Sequence, residues 1–417
     1  MVAALQCSQY IVGINGPVFA GRIKHPAGGL RPSVLRTPIL PADLRPACTI
    51  RAGLRAVVVY VVAWWLVSRV TLAAIGALSA LLPGVSGHGC ADCPSAMPAR
   101  AWTGCDTIFY LDIARHGYSL TPLQGSAGVA NIGFFPLYPL VTRACAWVAR
   151  SEVAAGLIVS NLCLLVGAVF LYRLAHLDEG EDGARRTVGM LFLFPTAFML
   201  SAIQTEGLFF CLVVLCFYAA RREKWWPAGG FGLLAALTRP TGVLLVLPLS
   251  WMYFRNGRRH SPWAVLSLLL PPAGTCLFGA YTYHLCGGFF AYTNAQSKGF
   301  GHHLTDPLVT LYQGLASNIP GMWLNAWALD ITLLALLILS GRLRTEYTLF
   351  AVCVLLAAPL TGTVAGSVRY LSPLFPLFIL LSRVGRSPTA HAVLAIVVAL
   401  LQGCLVVLRA AGSYALC

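Results

Sequence analysis

The sequence predicts an all-α polytopic membrane protein, and three observations carry that expectation. Hydrophobic residues make up 58% of the 417, and charged ones only 10%. Mean hydropathy is +0.75, more apolar surface than a soluble core of this size hides. Apolar runs near the ~20 residues that a bilayer demands recur along the chain, with short basic clusters between them.

Those clusters also explain the formal net charge of +15. Arg221-Arg222 with Lys224, Arg255 with Arg258-Arg259, Arg342 with Arg344, and Arg383 with Arg386 lie between apolar runs. Lysine and arginine collect in this way on the cytoplasmic side of a membrane. The charge therefore reads as topology, and no nucleic acid is expected as a partner. Most of the fourteen cysteines stand singly in apolar runs, where cysteine fills space as a small hydrophobe. Cys90 and Cys93 have the spacing of half a zinc site, but no second pair follows, which leaves a disulfide or no role.

Taken in order, residues 1–50 lack a spanning run, contain Gly and Pro, and are basic. They read as a disordered tail, a targeting segment or a start-site artefact. The remainder, 51–417, forms one membrane domain. A first span over about 53–82 follows Arg51 and Arg55, so its start is cytoplasmic and the loop of about 84–130 lies outside. Further spans are expected near 153–175, 187–203, 206–221, 226–254, 263–285, 322–340, 346–363, 368–382 and 389–412. The 226–254 segment should be two helices meeting at Arg239-Pro240, because the residue before a proline is pushed out of helical geometry. Residues 134–149 could cross or lie shallowly; Pro136, Pro139, Arg143 and Arg150 favour the shallow form.

With the basic clusters inside, the outer junctions hold Gln204-Thr205-Glu206, Arg239 to Gly242, the loop from about Cys286 to Pro307, and Ser367 to Tyr370. Candidate chemistry concentrates there. Asp106 is either a loop aspartate, the N-cap of a helix starting near Thr107, or a reactive carboxylate at the membrane surface. Asp112 and His116 share an amphipathic stretch with it, whose Ile108, Leu111, Ile113 and Tyr118 could rest on the interface. Glu206 opens a helix, where the dipole favours a carboxylate. Arg239 and Arg369 belong to no cytoplasmic cluster and are set between apolar runs. Two such cations facing an outer cavity could grip a phosphate through bidentate, charge-assisted hydrogen bonds. Gln296, Lys298, His302 and His303 are candidate substrate contacts in the outer loop. The sequence contains no phosphate loop, nucleophile elbow or H-E-x-x-H helix, and no histidine set has metal-ligand spacing.

The run from Cys105 to Tyr118 followed by Gly133-Phe134-Phe135-Pro136-Leu137-Tyr138-Pro139 resembles the phosphatidylinositol-glycan class V (PIG-V) mannosyltransferases. That family shows a Trp-Asp pair, an "IA..GY" stretch and an "AFFP..P" block. Leu193 to Phe198 leading to Thr205-Glu206, then Leu237 to Gly242, and Arg369-Tyr370, extend the likeness in family order over roughly 55–385. Cys105 stands where the family has Trp, and Gln204 where many members have Tyr. The outer loop of Phe289 to Pro307 is closer to the shorter bacterial members.

The resemblance implies a GT-C-type bundle of about nine to twelve transmembrane helices with juxtamembrane helices in the first loop. It also implies mannose transfer from polyprenyl (dolichyl)-phosphate mannose to a lipid-linked glycan acceptor, α1,6-linked to a glycosylphosphatidylinositol precursor in eukaryotic members. The implied base is Asp106, with Arg239 and Arg369 on the donor phosphate and Glu206, Asp112, Gln296 and His302 on substrate. No cofactor or metal is required, membrane lipids surround the chain, and a small membrane subunit is allowed as a further partner. The membrane is the plasma membrane if the source is bacterial, the favoured case, and that of the endoplasmic reticulum if eukaryotic. Two other readings stay open: an inactive homologue serving a membrane complex, which the Cys105 departure would suit, and a lipid or solute transporter. The latter predicts inverted repeats, and none is visible.

Overall fold

A computed structural model describes residues 45–79, 102–104, 106–123, 128–255 and 262–410. The tail before residue 45, the Cys90/Cys93 pair and Cys105 fall outside the described residues. The chain divides into Met1–Tyr60 and Val61–Cys417. The first unit is described only where it is helical, over 45–60, so residues 45–50 are helix rather than tail. Apart from the opening turns of the first helix, everything below concerns the second unit.

The described residues form fifteen α-helices: α1 Arg45–Ser79, α2 Thr107–His116, α3 Leu137–Ala149, α4 Glu152–Leu193, α5 Glu206–Arg221, α6 Trp225–Thr238, α7 Val246–Arg255, α8 Leu270–Cys286, α9 Ala291–Phe300, α10 Pro307–Leu315, α11 Pro320–Ile338, α12 Thr345–Ala357, α13 Val368–Leu371, α14 Phe375–Val384 and α15 Pro388–Ala410. Five stretches are long and apolar enough to cross a membrane: Gly53–Ser79, Glu152–Leu193, Trp263–Cys286, Gly321–Ile338 and Pro388–Ala410. The protein is an all-α, multi-pass membrane protein.

Proline and glycine set the remaining boundaries. Helix α4 is hydrogen-bonded through 42 residues yet breaks at Gly180, whose φ of 68° and ψ of −169° are not helical. Its two arms correspond to two of the expected spans. The second arm stops at Leu193 instead of running to 203, because Phe194 precedes Pro195 and adopts extended geometry (φ −60°, ψ 139°). Arg239 is likewise extended (φ −149°, ψ 146°) before Pro240, ending α6 and opening a 3-10 turn over Pro240–Leu245. The span expected at 368–382 is two short helices, because Pro373 and Pro376 interrupt it. Thirteen residues of α3 extend about 20 Å, short of the ~30 Å hydrocarbon core.

Helix α5 is the centre of the bundle. Phe209, Phe210, Val213, Val214, Cys216 and Phe217 have no accessible surface, and Phe217 packs edge-on against Tyr347, Phe350 and Phe375. Gly207 lets the helix start against its neighbours: a Cβ there would lie 2.3 Å from the Leu200 carbonyl oxygen and 2.9 Å from that of Ser160. At the other end Asp178 accepts hydrogen bonds from Arg344 (2.7 Å) and Tyr347 (3.0 Å) and pairs with Arg221 at 2.8 Å. Beside it Glu179 pairs with Arg383 (2.5 Å) and Arg386 (3.0 Å). The basic clusters expected on the cytoplasmic side thus meet the acidic kink of α4 at one end of α5, and Glu206 opens the other.

A buried ionic chain on a cavity wall

Four residues from four separate stretches of sequence converge at the N-terminal end of α5. Arg239 Nη1 donates to Glu206 Oε1 at 2.8 Å. Arg369 Nε donates to the same oxygen at 2.9 Å, and its Nη1 donates to Asp106 Oδ2 at 2.6 Å. The order along the chain is Arg239, Glu206, Arg369, Asp106, two cations alternating with two anions. Glu206 is wholly buried and both arginines are at least nine-tenths buried; the Asp106 side chain is 21% exposed. Burying charges this deeply is costly unless each is paired, which is the physical reason for the alternation.

Each member is held by its local structure. Asp106 occupies the N-cap position of α2 but makes no capping bond, since its carboxylate turns to Arg369 instead. Its loop is lashed to the segment before α5. Ile203 N donates to the Trp102 carbonyl (2.9 Å), Thr107 Oγ1 to that of Ile203 (3.0 Å), and Gln204 Nε2 to that of Gly104 (3.3 Å). From the last helix, Arg409 Nη2 donates to the Thr103 carbonyl at 3.2 Å. Glu206 sits in the first turn of α5, yet Oε1 serves both arginines, while Oε2 is buried with no hydrogen-bond partner among the described residues. Arg239 projects from the extended residue before Pro240, its guanidinium 5.0 Å from the Tyr370 ring centroid and 5.9 Å from that of Phe209, in cation–π range. Gly242 closes this turn onto α6, where a Cβ would lie 2.4 Å from the Ala236 amide nitrogen.

The chain forms part of the wall of a cavity of about 450 Å³, within the size range of small-molecule sites. Asp106, Arg239 and Arg369 line it, and Glu206 stands behind them. Thr205, Thr238, Thr241, Thr361 and Thr363 are among the lining residues, with the aromatic residues Phe134, Phe135, Tyr292, Phe300 and Tyr370. Gln296 lines the cavity while donating to the Gly133 carbonyl at 2.6 Å. His302 lines it too. Burial lowers the His302 imidazole pKa below its usual value, opposed by the charge of Asp106. Burial, and then Asp106, push the Tyr110 hydroxyl upward, so it stays protonated.

The outer junctions expected from the sequence are therefore neighbours in space. Asp112 is the exception among the candidates. It is not part of the cavity wall; Oδ2 accepts from Asn131 Nδ2 at 2.6 Å and Oδ1 pairs with His116 Nδ1 at 2.9 Å, tying α2 to the 3-10 turn Asn131–Gly133. Nor do Leu111 and Ile113 rest on an interface, for both are buried in protein. Sequence reading passed over Tyr110, Tyr292, Phe300 and the threonines. Tyr292, Gln296 and Phe300 fall at i, i+4 and i+8 of α9, one helical face, a spacing visible once that helix is drawn.

Fold and site together define a class: a multi-pass helical membrane protein with a compensated ionic chain facing a cavity lined by threonines and aromatic residues. No protein-family model matches the sequence, and no curated protein matches it. Among solved structures, ArnT from Cupriavidus metallidurans bound to undecaprenyl phosphate superposes with a TM-score of 0.48 at 15% identity, over 72% of this chain and 59% of that one. The apo state of ArnT gives 0.46 at 16%, over 78% and 61%. The Archaeoglobus fulgidus oligosaccharyltransferase tethered to an acceptor peptide gives 0.43 at 12%, over 84% and 55%. This chain spans less than two thirds of the length of each. Likeness so distant carries no argument about chemistry, which rests on the residues themselves.

Proposed function

We propose that the chain is an integral membrane mannosyltransferase. It would move mannose from a polyprenyl-phosphate mannose donor to a lipid-linked glycan acceptor at the extracytoplasmic face. The observation that carries this reading is the Arg239–Glu206–Arg369–Asp106 chain on the wall of a cavity. It offers a carboxylate next to two fixed cations, the combination that transfer from a sugar phosphate requires.

In this reading Asp106 takes the proton of the acceptor hydroxyl as its oxygen attacks the anomeric carbon. The bond between that carbon and the phosphate oxygen breaks, and the configuration inverts. The departing polyprenyl phosphate gains negative charge without being protonated, so preorganised cations lower the barrier. Arg239, steadied by Tyr370 and Phe209, and Arg369 supply that charge. Glu206 holds both guanidinium groups in register. Gln296 and His302 would hydrogen-bond sugar hydroxyls, and the aromatic rings would cover apolar sugar faces.

The test is mannose transfer by membranes containing the chain, using radiolabelled polyprenyl-phosphate mannose and a panel of acceptor lipids, with Asp106→Asn in parallel. Transfer that disappears in the variant supports the reading and the base together. Transfer that survives removes Asp106 from the mechanism, and none with any acceptor overturns the enzymatic reading.

A further inference from the structure

Asp330 is a partly exposed carboxylate in the middle of a membrane-spanning helix, at the edge of that helix's exposed stripe. It is the only ionisable residue between Gly321 and Ile338. At 1.5 Å per residue it lies about 15 Å from one end of α11 and about 12 Å from the other, too far for an aspartate to reach an aqueous interface. On a helix of 100° per residue it falls inside one stripe with Trp323, Trp327, Leu334, Leu337 and Ile338. Those five are between 44% and 70% exposed. On the other side of Asp330 comes Ala326, about 40° away on the same wheel, and beyond it Leu329, Leu336 and Asn325, each 1% exposed or less, while Leu324 and Ala328 pack on the core formed by Leu72, Phe198, Met199, Val368 and Val406.

The other carboxylates within the bundle are compensated: Glu206 and Asp106 by arginines, Asp178 by Arg221 and Arg344, Glu179 by Arg383 and Arg386. Among the described residues Asp330 makes no hydrogen bond or ion pair, and it takes no part in the cavity. A charged side chain at the centre of a spanning helix is expensive and normally faces a partner group. Two tryptophans share the stripe, their rings edge to face with centroids 6.3 Å apart. This gives a rigid apolar shelf of the kind that dominates contact energetics.

We propose that this stripe of α11 is the docking face for a membrane-spanning helix of another protein, one that carries an arginine or lysine near its midpoint. A second copy of this chain suits it less well. Twofold pairing through the stripe would set Asp330 against its own copy, and neighbouring carboxylates cannot both ionise cheaply. A basic residue at matching depth neutralises the carboxylate, and the tryptophan shelf packs against the helix that bears it. The proposal does not depend on what the cavity catalyses.

The test places a photoreactive amino acid at Leu334 in the full chain, in membranes of the organism that makes it. A second site at Leu401 of α15, 50% exposed, serves as control. The expected result is a discrete protein adduct at 334 and not at 401. Its crosslinked peptide should come from a spanning helix with a lysine or arginine, and its yield should fall about tenfold in Asp330→Leu, as expected for one lost interhelical polar contact. Exchanging the charges, Asp330→Arg with aspartate in the partner, should restore the adduct. Adducts with lipid alone, with a second copy, with a helix lacking a basic residue, or with a yield indifferent to Asp330 would each overturn the proposal. A second measurement uses purified protein without a partner: Asp330→Leu should melt no lower than the parent. A clear drop would mean that the carboxylate is satisfied within the chain, and would also overturn it.

Discussion

Replacing Glu206 by glutamine removes one negative charge from a chain of four. Its Oε1 is 2.8 Å from Arg239 Nη1 and 2.9 Å from Arg369 Nε, with no accessible surface on the residue. Before the change two arginines face two carboxylates; afterwards Asp106 alone compensates both, and one buried positive charge is left over. Each lost ion pair is worth about 4 kcal/mol at 4 Å and an effective dielectric of 20, but lifting the desolvation of Glu206 returns part of that. Glutamine also keeps an acceptor oxygen. Breaking a buried pair from one side costs about 3–5 kcal/mol in practice, and that is the expected loss here. The assay is equilibrium unfolding in detergent micelles titrated with a denaturing detergent, followed by tryptophan fluorescence. Arg369→Met added to Glu206→Gln restores neutrality, because Arg239 and Asp106 remain. The double variant should therefore be less destabilised than the sum of the singles, by about 1–3 kcal/mol. A Glu206→Gln protein within about 0.5 kcal/mol of the parent, as for an ordinary surface change, or strictly additive singles, would refute the idea that the four groups form one compensated unit.

Other expectations separate chemistry from stability. Asp106→Asn, at the partly exposed end of the chain, should lower stability by less than Glu206→Gln, about 1–3 kcal/mol, while mannose transfer drops about 10²–10⁴-fold. Asp178→Asn, at the far end of α5, should lower stability by about 3 kcal/mol and leave the KM for donor unchanged, as read by titration of the labelled donor. Gly242→Ala should cost about 1–3 kcal/mol, because the added methyl meets the backbone of α6, and should weaken retention of polyprenyl phosphate on a filter. His302 is held below its ordinary pKa, so its contribution to stability is present above about pH 6.5 and is lost as pH falls toward the folded value. Between pH 7.5 and 5.5 the parent should therefore lose more melting temperature than His302→Gln; equal losses would refute the assignment.

Much of the helical plan could be read directly because proline and glycine wrote it. Pro240 divides the expected 226–254 segment and α5 runs from Glu206 to Arg221 as its hydrophobic run suggests, whereas Pro195 and Pro359 end helices inside the spans expected at 187–203 and 346–363. Proline also misled: Pro373 and Pro376 cut one apolar stretch into two short helices. The convergence of the outer junctions was foreseeable from the placement of basic clusters, but their pairing was not. Asp106 and Arg369 are 263 residues apart, and no local pattern tells a carboxylate that caps its helix from one that leaves the cap open for an arginine. Asp112 shows the converse. Its neighbourhood in sequence is that of Asp106, yet Asn131 claims it, and that partner is visible only when the turn folds back.

Helix α5 carries Glu206 at its first residue and Arg221 at its last, and its sixteen residues make a rod of about 24 Å. Both tips are fastened, one to the pair of site arginines and the other to Asp178. The depth of the site below one face is thereby measured from the opposite face by a rigid ruler of protein. A bilayer that thins or thickens can tilt the outer helices, which meet lipid, but it stretches nothing between these two fastenings. A lipid-borne substrate would meet Asp106 at one fixed height, whatever the length of the acyl chains around it.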